Sequence, residues 1–293
     1  MAYVGRFAPS PSGPLHFGSL IAATASYLDA RHRHGQWLVR IDDIDRPRVV
    51  SGASQQILQT LEAYGFQWDG EVVYQSQRLS LYQDAISQLI QQKQAFFCDC
   101  SRKQIFQRHP QGLYQGFCRT RQLRDDANHA LRFAVPHHSL HYQDLIQGNV
   151  IIDPQTELGD FVIRRADGVM GYHLVCAVDD LAQGITHVIR GCDLLVSGFA
   201  QRLISQALAG RELIYGHHPL AMSREHIKLS KSADSPPIDP LQAPATLWRA
   251  LAFLNQQPPI ELQNATLNEI WQWAFQHWSL ADIPQRADIE VAP

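Results

Sequence analysis

The sequence predicts an α/β protein built on a parallel sheet. Short apolar strands alternate with amphipathic helices from residue 2 to residue 94, and the same alternation resumes at Phe161. With 45% hydrophobic and 18% charged residues the chain can bury a sizeable core.

Residues 2–9 alternate apolar and polar and end at Pro9, which predicts a strand. Ser10 to Gly13 form a small-residue turn, and Leu15 to about Arg33, rich in Ala and Leu, is a helix. A second strand, Trp37 to Ile41, leads into the acidic turn of Asp42, Asp43 and Asp45. A helix from Ser54 to Tyr64 follows, with Ile57, Leu58, Leu61 and Tyr64 on one face. Leu81, Tyr82, Ala85, Ile86, Leu89 and Ile90 mark another helix. Residues 95–150 break the rhythm and read as an insertion with two strand-like runs, Leu131 to Val135 and Asn149 to Ile152. Beyond it come a strand (Phe161 to Arg164), a turn (Ala166 to Gly168) and an apolar run, His173 to Val178, read as a strand carrying a core cysteine, Cys176. A helix (Asp179 to Ile185), a strand (His187 to Arg190) and a helix (Ser197 to Leu208) complete this half. The polar stretch Ser223 to Pro237 is a loop, followed by a short helical region that includes Asn268 to Trp278. The expected units are residues 1–94 and 151–235, two halves of one catalytic domain, with the insertion at 95–150 and the helical region at 236–293.

Composition sets limits. The 293 residues carry 25 Lys+Arg and 28 Asp+Glu, a formal charge of −3, so any nucleic-acid partner has to be held by local patches. The 18 Gly and 16 Pro are too few for a low-complexity chain. No basic, apolar leader and no run of about 18 to 20 apolar residues is present, so a cytoplasmic protein without membrane contact is expected. No exposed apolar stripe is evident, and a monomer is expected.

Three segments carry chemistry. In Arg6-Phe-Ala-Pro-Ser10-Pro-Ser-Gly13-Pro-Leu-His16-Phe-Gly18-Ser19 a strand, a small-residue turn and a helix start let backbone approach a ligand, and the helix N-terminus favours phosphate. His16 in that first turn can donate to a phosphate oxygen, and Gly18 leaves room for a flat base. Lys228-Leu-Ser230-Lys231-Ser232 sets two lysines among small hydroxyl residues, a grip for polyphosphate. Cys98, Cys100 and Cys118 crowd into 21 positions of a chain with five cysteines, which favours a metal site over disulfides. Three thiolates form most of a tetrahedral zinc site, which Tyr114 or His109 would close. Around them, from Cys98 to Arg124, six basic residues (Arg102, Lys103, Arg108, Arg119, Arg121, Arg124) face one acid, Asp99, for a local charge of 6 − 1 = +5. Such a run is a usable patch for an RNA backbone.

His16-Phe-Gly18-Ser19 and Lys228 to Ser232 resemble the HIGH and KMSKS signatures of class I aminoacyl-tRNA synthetases. Arg6 to Gly13 is similar to the opening of the glutamyl and glutaminyl branch, and Arg40-Ile-Asp-Asp-Ile-Asp45-Arg46, Tyr172-His173, Asp179-Asp180 and Ile185 to Asp193 match in register. The resemblance implies a Rossmann-like, doubly wound parallel sheet. It further implies that Arg6, Phe7, Ala8, Pro9, Ser10, Tyr172 and Arg190 border a glutamate pocket and that Asp42 holds the substrate ammonium. ATP with Mg²⁺ would lie against His16, Gly18, Ser19, Lys228, Ser230 and Lys231, with His16 and Lys231 acting in catalysis. Asp42 stands where the family usually has Glu, Cys192 where many relatives have Glu, and Ser19 where the first signature has His. The metal set Cys98, Cys100, Tyr114 and Cys118 fits the zinc pattern of the short glutamyl-synthetase-like proteins.

After Ser232 there are 293 − 232 = 61 residues with seven acidic and two basic side chains, against the anticodon-binding domain that a synthetase of this branch carries there. The resemblance therefore narrows to the short members. These activate L-glutamate with ATP and transfer it to the queuosine base in the anticodon stem-loop of tRNA(Asp). The alternatives are a minimal glutamyl-tRNA synthetase charging a 3′ end and a non-catalytic paralogue that only binds. The intact His16, Lys231, Arg6 and Arg190 speak against the second.

Overall fold

A computed structural model of the chain describes residues 2–126, 128–223 and 236–291. Its first part runs β1 (Val4–Phe7), α1 (Phe17–His32), β2 (Gln36–Ile41), α2 (Ala53–Ala63), β3 (Val73–Tyr74) and α3 (Leu79–Gln91). The middle holds β4 (Ala95–Cys98), α4 (Arg102–Arg108), β5 (Ala130–Phe133), β6 (Leu140–Asp144), β7 (Gly148–Ile152), α5 (Pro154–Glu157) and β8 (Val162–Arg164). Then come α6 (Tyr172–Ala182), β9 (His187–Gly191), α7 (Leu195–Ala209), β10 (Ile214–His218) and β11 (Leu220–Met222). The last described elements are α8 (Ala243–Phe253), α9 (Leu267–His277) and β12 (Asp288–Glu290).

The parallel sheet is as expected. β1 pairs with β2, Val4 facing Gln36 and Phe7 facing Val39, and β2 passes into β3 with Arg40 facing Val73. On its other side β1 meets the entry to β9, where the Thr186 N–H donates to the Val4 carbonyl at 2.9 Å and the Val4 N–H donates to Thr186 Oγ1 at 2.9 Å. β9 then pairs in parallel with β10. The spatial order is β3–β2–β1–β9–β10, so the chain reverses its direction of growth between β1 and β9. In doubly wound sheets the crevice beyond the strand carboxyl ends at that reversal is where ligands bind.

α1 is buried nearly all round. Leu20, Ile21, Ala23, Ala25, Leu28 and Ala30 are inaccessible because the helix is clamped between the sheet and the C-terminal helices. Its Tyr27 ring meets Trp37 of β2 at 5.0 Å and Trp271 of α9 at 5.2 Å, and the Trp271 indole N–H donates to the Tyr64 carbonyl at 2.9 Å. A second core lies under the antiparallel sheet β4–β5–β8, where Leu131, Phe133 and Ile163 pack with Tyr82, Leu89 and Leu174. The β6–β7 hairpin leans on β10, with the Leu145 N–H donating to the Tyr215 carbonyl at 2.8 Å.

Two elements differ from expectation. β8, where the parallel alternation is expected to resume, instead pairs antiparallel with β5 in the sheet β4–β5–β8. The apolar run His173 to Val178 is not a strand but the first turns of α6, and Cys176 is buried in a helix. Leu174, Val175, Cys176, Ala177 and Val178 are all buried, so no exposed face imposes a visible period of 3.6, and a short apolar run alone does not tell strand from helix. Most of the expected loop 223–237 lies outside the described residues. Among the described residues no helix is long and apolar enough to cross a membrane.

Leu247 of α8 is fully buried in the core shared with α1. Leu247→Ala is expected to cost about 2–5 kcal/mol in urea unfolding, within one transition shared with the sheet. A separate early transition would show the C-terminal helices to be an independent unit.

Candidate active site

The carboxyl edge of the sheet opens into a cavity of about 840 Å³. β1 delivers Arg6 and Phe7 to it, the following turn Ala8, Pro9 and Ser10, the start of α1 His16, Gly18 and Ser19, the end of β2 Asp42, and β9 Arg190. Tyr172, the first residue of α6, joins them. Every described residue assigned from sequence to the amino acid or the nucleotide thus lines one cavity. Lys228, Ser230 and Lys231 lie outside the described residues.

His16 sits one step earlier than expected, at the N-cap of α1 and not in its first turn. Its Nδ1 accepts the Ser19 N–H at 3.2 Å, and the Ser19 hydroxyl lies 3.0 Å from Nε2. The imidazole therefore stands at the helix's positive end, among backbone N–H groups that favour an anion.

Beneath the cavity is a buried charge network. Arg40 places its Nε 2.7 Å from Asp42 Oδ1 and its Nη1 2.7 Å from Asp180 Oδ1. Arg6 contacts the same Asp180 at 3.3 and 3.4 Å. Asp179 is held by Arg78 (2.6 Å), the Tyr82 hydroxyl (2.8 Å) and Gln75 (3.0 Å). Burial alone would raise the Asp180 carboxyl, but the two arginines outweigh it and hold it below the usual range. The Cys176 thiol donates to Asp42 Oδ2 at 3.6 Å, and burial pushes that thiol up.

Arg190 differs from Arg6 and Arg40. It is buried, yet among the described residues no carboxylate reaches it directly. Its Nε donates to His217 Nε2 at 3.0 Å, Nη1 to Gln201 Oε1 at 2.7 Å and Nη2 to the Leu194 carbonyl at 3.0 Å. Three of the five guanidinium N–H groups are so engaged, and 5 − 3 = 2 remain on a side chain that lines the cavity.

The cysteine cluster forms apart from the cavity. The sulfurs of Cys98, Cys100 and Cys118 all lie within 4.8 Å of one another and could hold a metal ion. Tyr114 is at this cluster: its hydroxyl accepts the Cys118 N–H at 2.8 Å and lies 3.8 Å from Cys100 Sγ, and the Arg132 guanidinium covers its ring at 4.0 Å. His109 is not in the group. Burial pushes the Cys100 thiol up to about 11, whereas at Cys98 burial is outweighed by hydrogen bonds from Tyr114 and the backbone, and the thiol sits below its ordinary value. Of the six basic residues nearby, Arg119 is engaged with Asp160 and Arg121 with Asp99, leaving Arg102, Lys103, Arg108 and Arg124 exposed without a carboxylate partner among the described residues.

Several members of the site were not singled out from sequence. Arg40, Asp179 and Asp180 belong to quoted motifs, but nothing local shows that they meet beneath the cavity. His217, Asp144 and Gln201 give no signal; β10, which carries His217, is a five-residue strand followed directly by Pro219.

Residues 3–237 match the family described as tRNA synthetases class I (E and Q), catalytic domain. The chain belongs to that family and is a synthetase-type ligase. Within it, the chain is 46% identical over 293 residues to the glutamyl-Q tRNA(Asp) synthetase of Aromatoleum aromaticum, covering 99% of this chain and 93% of that one. It is 47% identical over 289 residues to the glutamyl-Q tRNA(Asp) synthetase of Pseudomonas paraeruginosa, covering 98% and 97%. Among solved structures, the glutamate-tRNA synthetase of Elizabethkingia anophelis superposes with a TM-score of 0.82 at 22% identity, over 100% of this chain and 68% of that one, which shows the shared fold.

Two histidines near the cavity couple stability to pH. Burial pushes His173 down to about 4, and burial lowers His217 as well against the pull of Asp144. An unfolded histidine titrates near ~6.5, so below that pH the unfolded chain binds more protons than the folded one and stability falls. The urea midpoint is expected to be highest above pH 6.5 and to drop on acidification towards pH 4. His173→Phe, which removes one of these titrations, is expected to flatten the profile.

Proposed function

We propose that the chain activates L-glutamate with ATP and transfers the glutamyl group to the queuosine base in the anticodon of tRNA(Asp). The observation that carries the first half is Arg190, a buried cation on the cavity wall with two N–H groups that meet no acceptor among the described residues. A guanidinium so placed is a receptor for a carboxylate, because the fork of N–H groups matches two carboxylate oxygens. Arg6, on the adjacent strand, faces the other end of the amino acid, and Asp42 takes its ammonium. The names of relatives that match almost end to end carry the second half.

The α-carboxylate oxygen of glutamate attacks the α-phosphorus of ATP, the bond to the β-phosphate oxygen breaks, and pyrophosphate leaves. Little proton transfer is required, so catalysis is positioning and charge stabilisation. The N-terminal end of α1 with His16, Gly18 and Ser19 faces the phosphates, and Lys228, Ser230 and Lys231 are assigned to the same charge. ATP enters with its Mg²⁺ as substrate. A hydroxyl of the modified base then attacks the glutamyl carbonyl and AMP departs. The exposed basic residues around the cysteine cluster, Arg102, Lys103, Arg108 and Arg124, offer a surface for the RNA backbone.

Cys98, Cys100, Cys118 and Tyr114 would hold one zinc ion, whose contribution is to tie the two segments of the knuckle together. Thiolates from a C-x-C turn and a third from twenty residues on are a soft donor set that suits zinc.

Pyrophosphate exchange dependent on glutamate and ATP, without tRNA, tests the activation step, and Arg190→Gln is expected to abolish it at ordinary glutamate concentrations. Labelled glutamate offered with tRNA(Asp) carrying or lacking queuosine tests the transfer. Label that survives periodate oxidation of the 3′ end and needs queuosine supports it, and label lost on oxidation means charging of a 3′ end instead. Metal analysis of the purified protein is expected to find one zinc per chain, reduced in Cys98→Ser.

A further inference from the structure

The reaction outlined above leaves two buried titratable groups behind Arg190 unused. Asp144, at the end of β6, is almost inaccessible, and His217 on β10 is wholly so. Asp144 Oδ1 accepts the backbone N–H groups of Ile146 (3.0 Å), Gln147 (2.9 Å) and His217 (3.0 Å). Its Oδ2 lies 2.6 Å from His217 Nδ1. The far nitrogen of the same ring, Nε2, lies 3.0 Å from Arg190 Nε.

The direction of these bonds follows from what each group can do. A guanidinium has donors and no acceptor, so Nε2 has to accept from Arg190. The single ring proton of a neutral imidazole is then on Nδ1 and is donated to Asp144. Asp144 accepts at both oxygens, which requires the carboxylate; burial would raise it, but the bonds from His217 and the backbone hold it below its usual range. A carboxylate pulling on Nδ1–H makes Nε2 a better acceptor, and with Gln201 and the Leu194 carbonyl it fixes the plane of the guanidinium. The negative charge that balances Arg190 is thereby kept one imidazole away and not in contact with it.

We propose that His217 and Asp144 are positioning residues for amino-acid recognition: they fix the orientation in which the two remaining N–H groups of Arg190 meet the substrate carboxylate. The proposal rests on the reading of Arg190 as the carboxylate receptor. It makes the β6–β7 hairpin, which lies far from the first signature in sequence, a support of the amino-acid pocket.

Three variants in the full chain, assayed by pyrophosphate exchange with glutamate and ATP varied separately, test this. Asp144→Asn keeps an oxygen for the backbone N–H groups but turns an amide N–H towards Nδ1. The ring proton then moves to Nε2, where it opposes the Arg190 donor. Asp144→Asn and His217→Phe are both expected to raise the glutamate KM about 10- to 100-fold, the effect of unpairing a buried charged donor, with the ATP KM unchanged. His217→Gln, which keeps an acceptor for Arg190, is expected to recover most of the loss. Thermal unfolding of each variant shows whether it is folded. A folded Asp144→Asn with the wild-type glutamate KM, or glutamate and ATP KM rising together, overturns the proposal. Absence of glutamate-dependent exchange in the wild type overturns instead the reading of the function on which it rests.

Discussion

The floor of the cavity depends on one fully buried guanidinium, that of Arg40. It touches Asp42 just beyond the end of its own strand and Asp180 on α6, and Asp180 in turn meets Arg6 on β1. A charge without access to water depends on its ion-pair partners, and removing one leaves the others uncompensated at a cost of about 3–5 kcal/mol. Arg40 therefore ties β1, β2 and α6 together at the point where the sheet reverses. Asp179, the neighbour of Asp180, extends the tie to the start of α3 through Arg78 and Tyr82. The cavity holds its shape because the groups beneath it have few other arrangements that satisfy all their charges.

Against that background the three arginines divide their tasks. Arg40 is paired with two protein carboxylates at 2.7 Å, Arg6 shares one of them at longer range, and Arg190 touches none among the described residues. The gradient runs from the floor of the cavity to its wall. On the proposed reading the substrate completes the sequence, supplying its carboxylate where the protein has withheld its own. Glutamine would offer Arg190 a neutral amide in place of the side-chain carboxylate, so the same gradient discriminates between two amino acids of nearly equal size.

Much of this was legible in the sequence because it is local. The strand, turn and helix start from Arg6 to Ser19 lie within fourteen residues, and their small residues and helix start mark an anion site without reference to the rest of the chain. The three cysteines are legible for the same reason. The pair that supports Arg190 from behind was not. Asp144 and His217 are 73 residues apart, and only the docking of a hairpin on β10 brings them together. α6 was misread because a helix buried on every side has lost the polar face that reveals its period. His16 shifted from the first turn to the N-cap because an extended backbone lets its ring accept from Ser19, a choice that turns on one pair of dihedral angles.

The aspartate at position 42 shows how the network constrains the site's chemistry. A glutamate there would carry its carboxylate one methylene farther from the strand. Asp42 instead keeps Oδ1 against Arg40 at 2.7 Å and turns Oδ2 to the Cys176 thiol at 3.6 Å, a weak donor that leaves most of that oxygen's accepting capacity unused. The carboxylate is thus oriented by Arg40 before any ligand arrives. On the proposed reading, binding the ammonium orders no further protein side chain at this position, and the shorter residue exchanges reach for preorganisation.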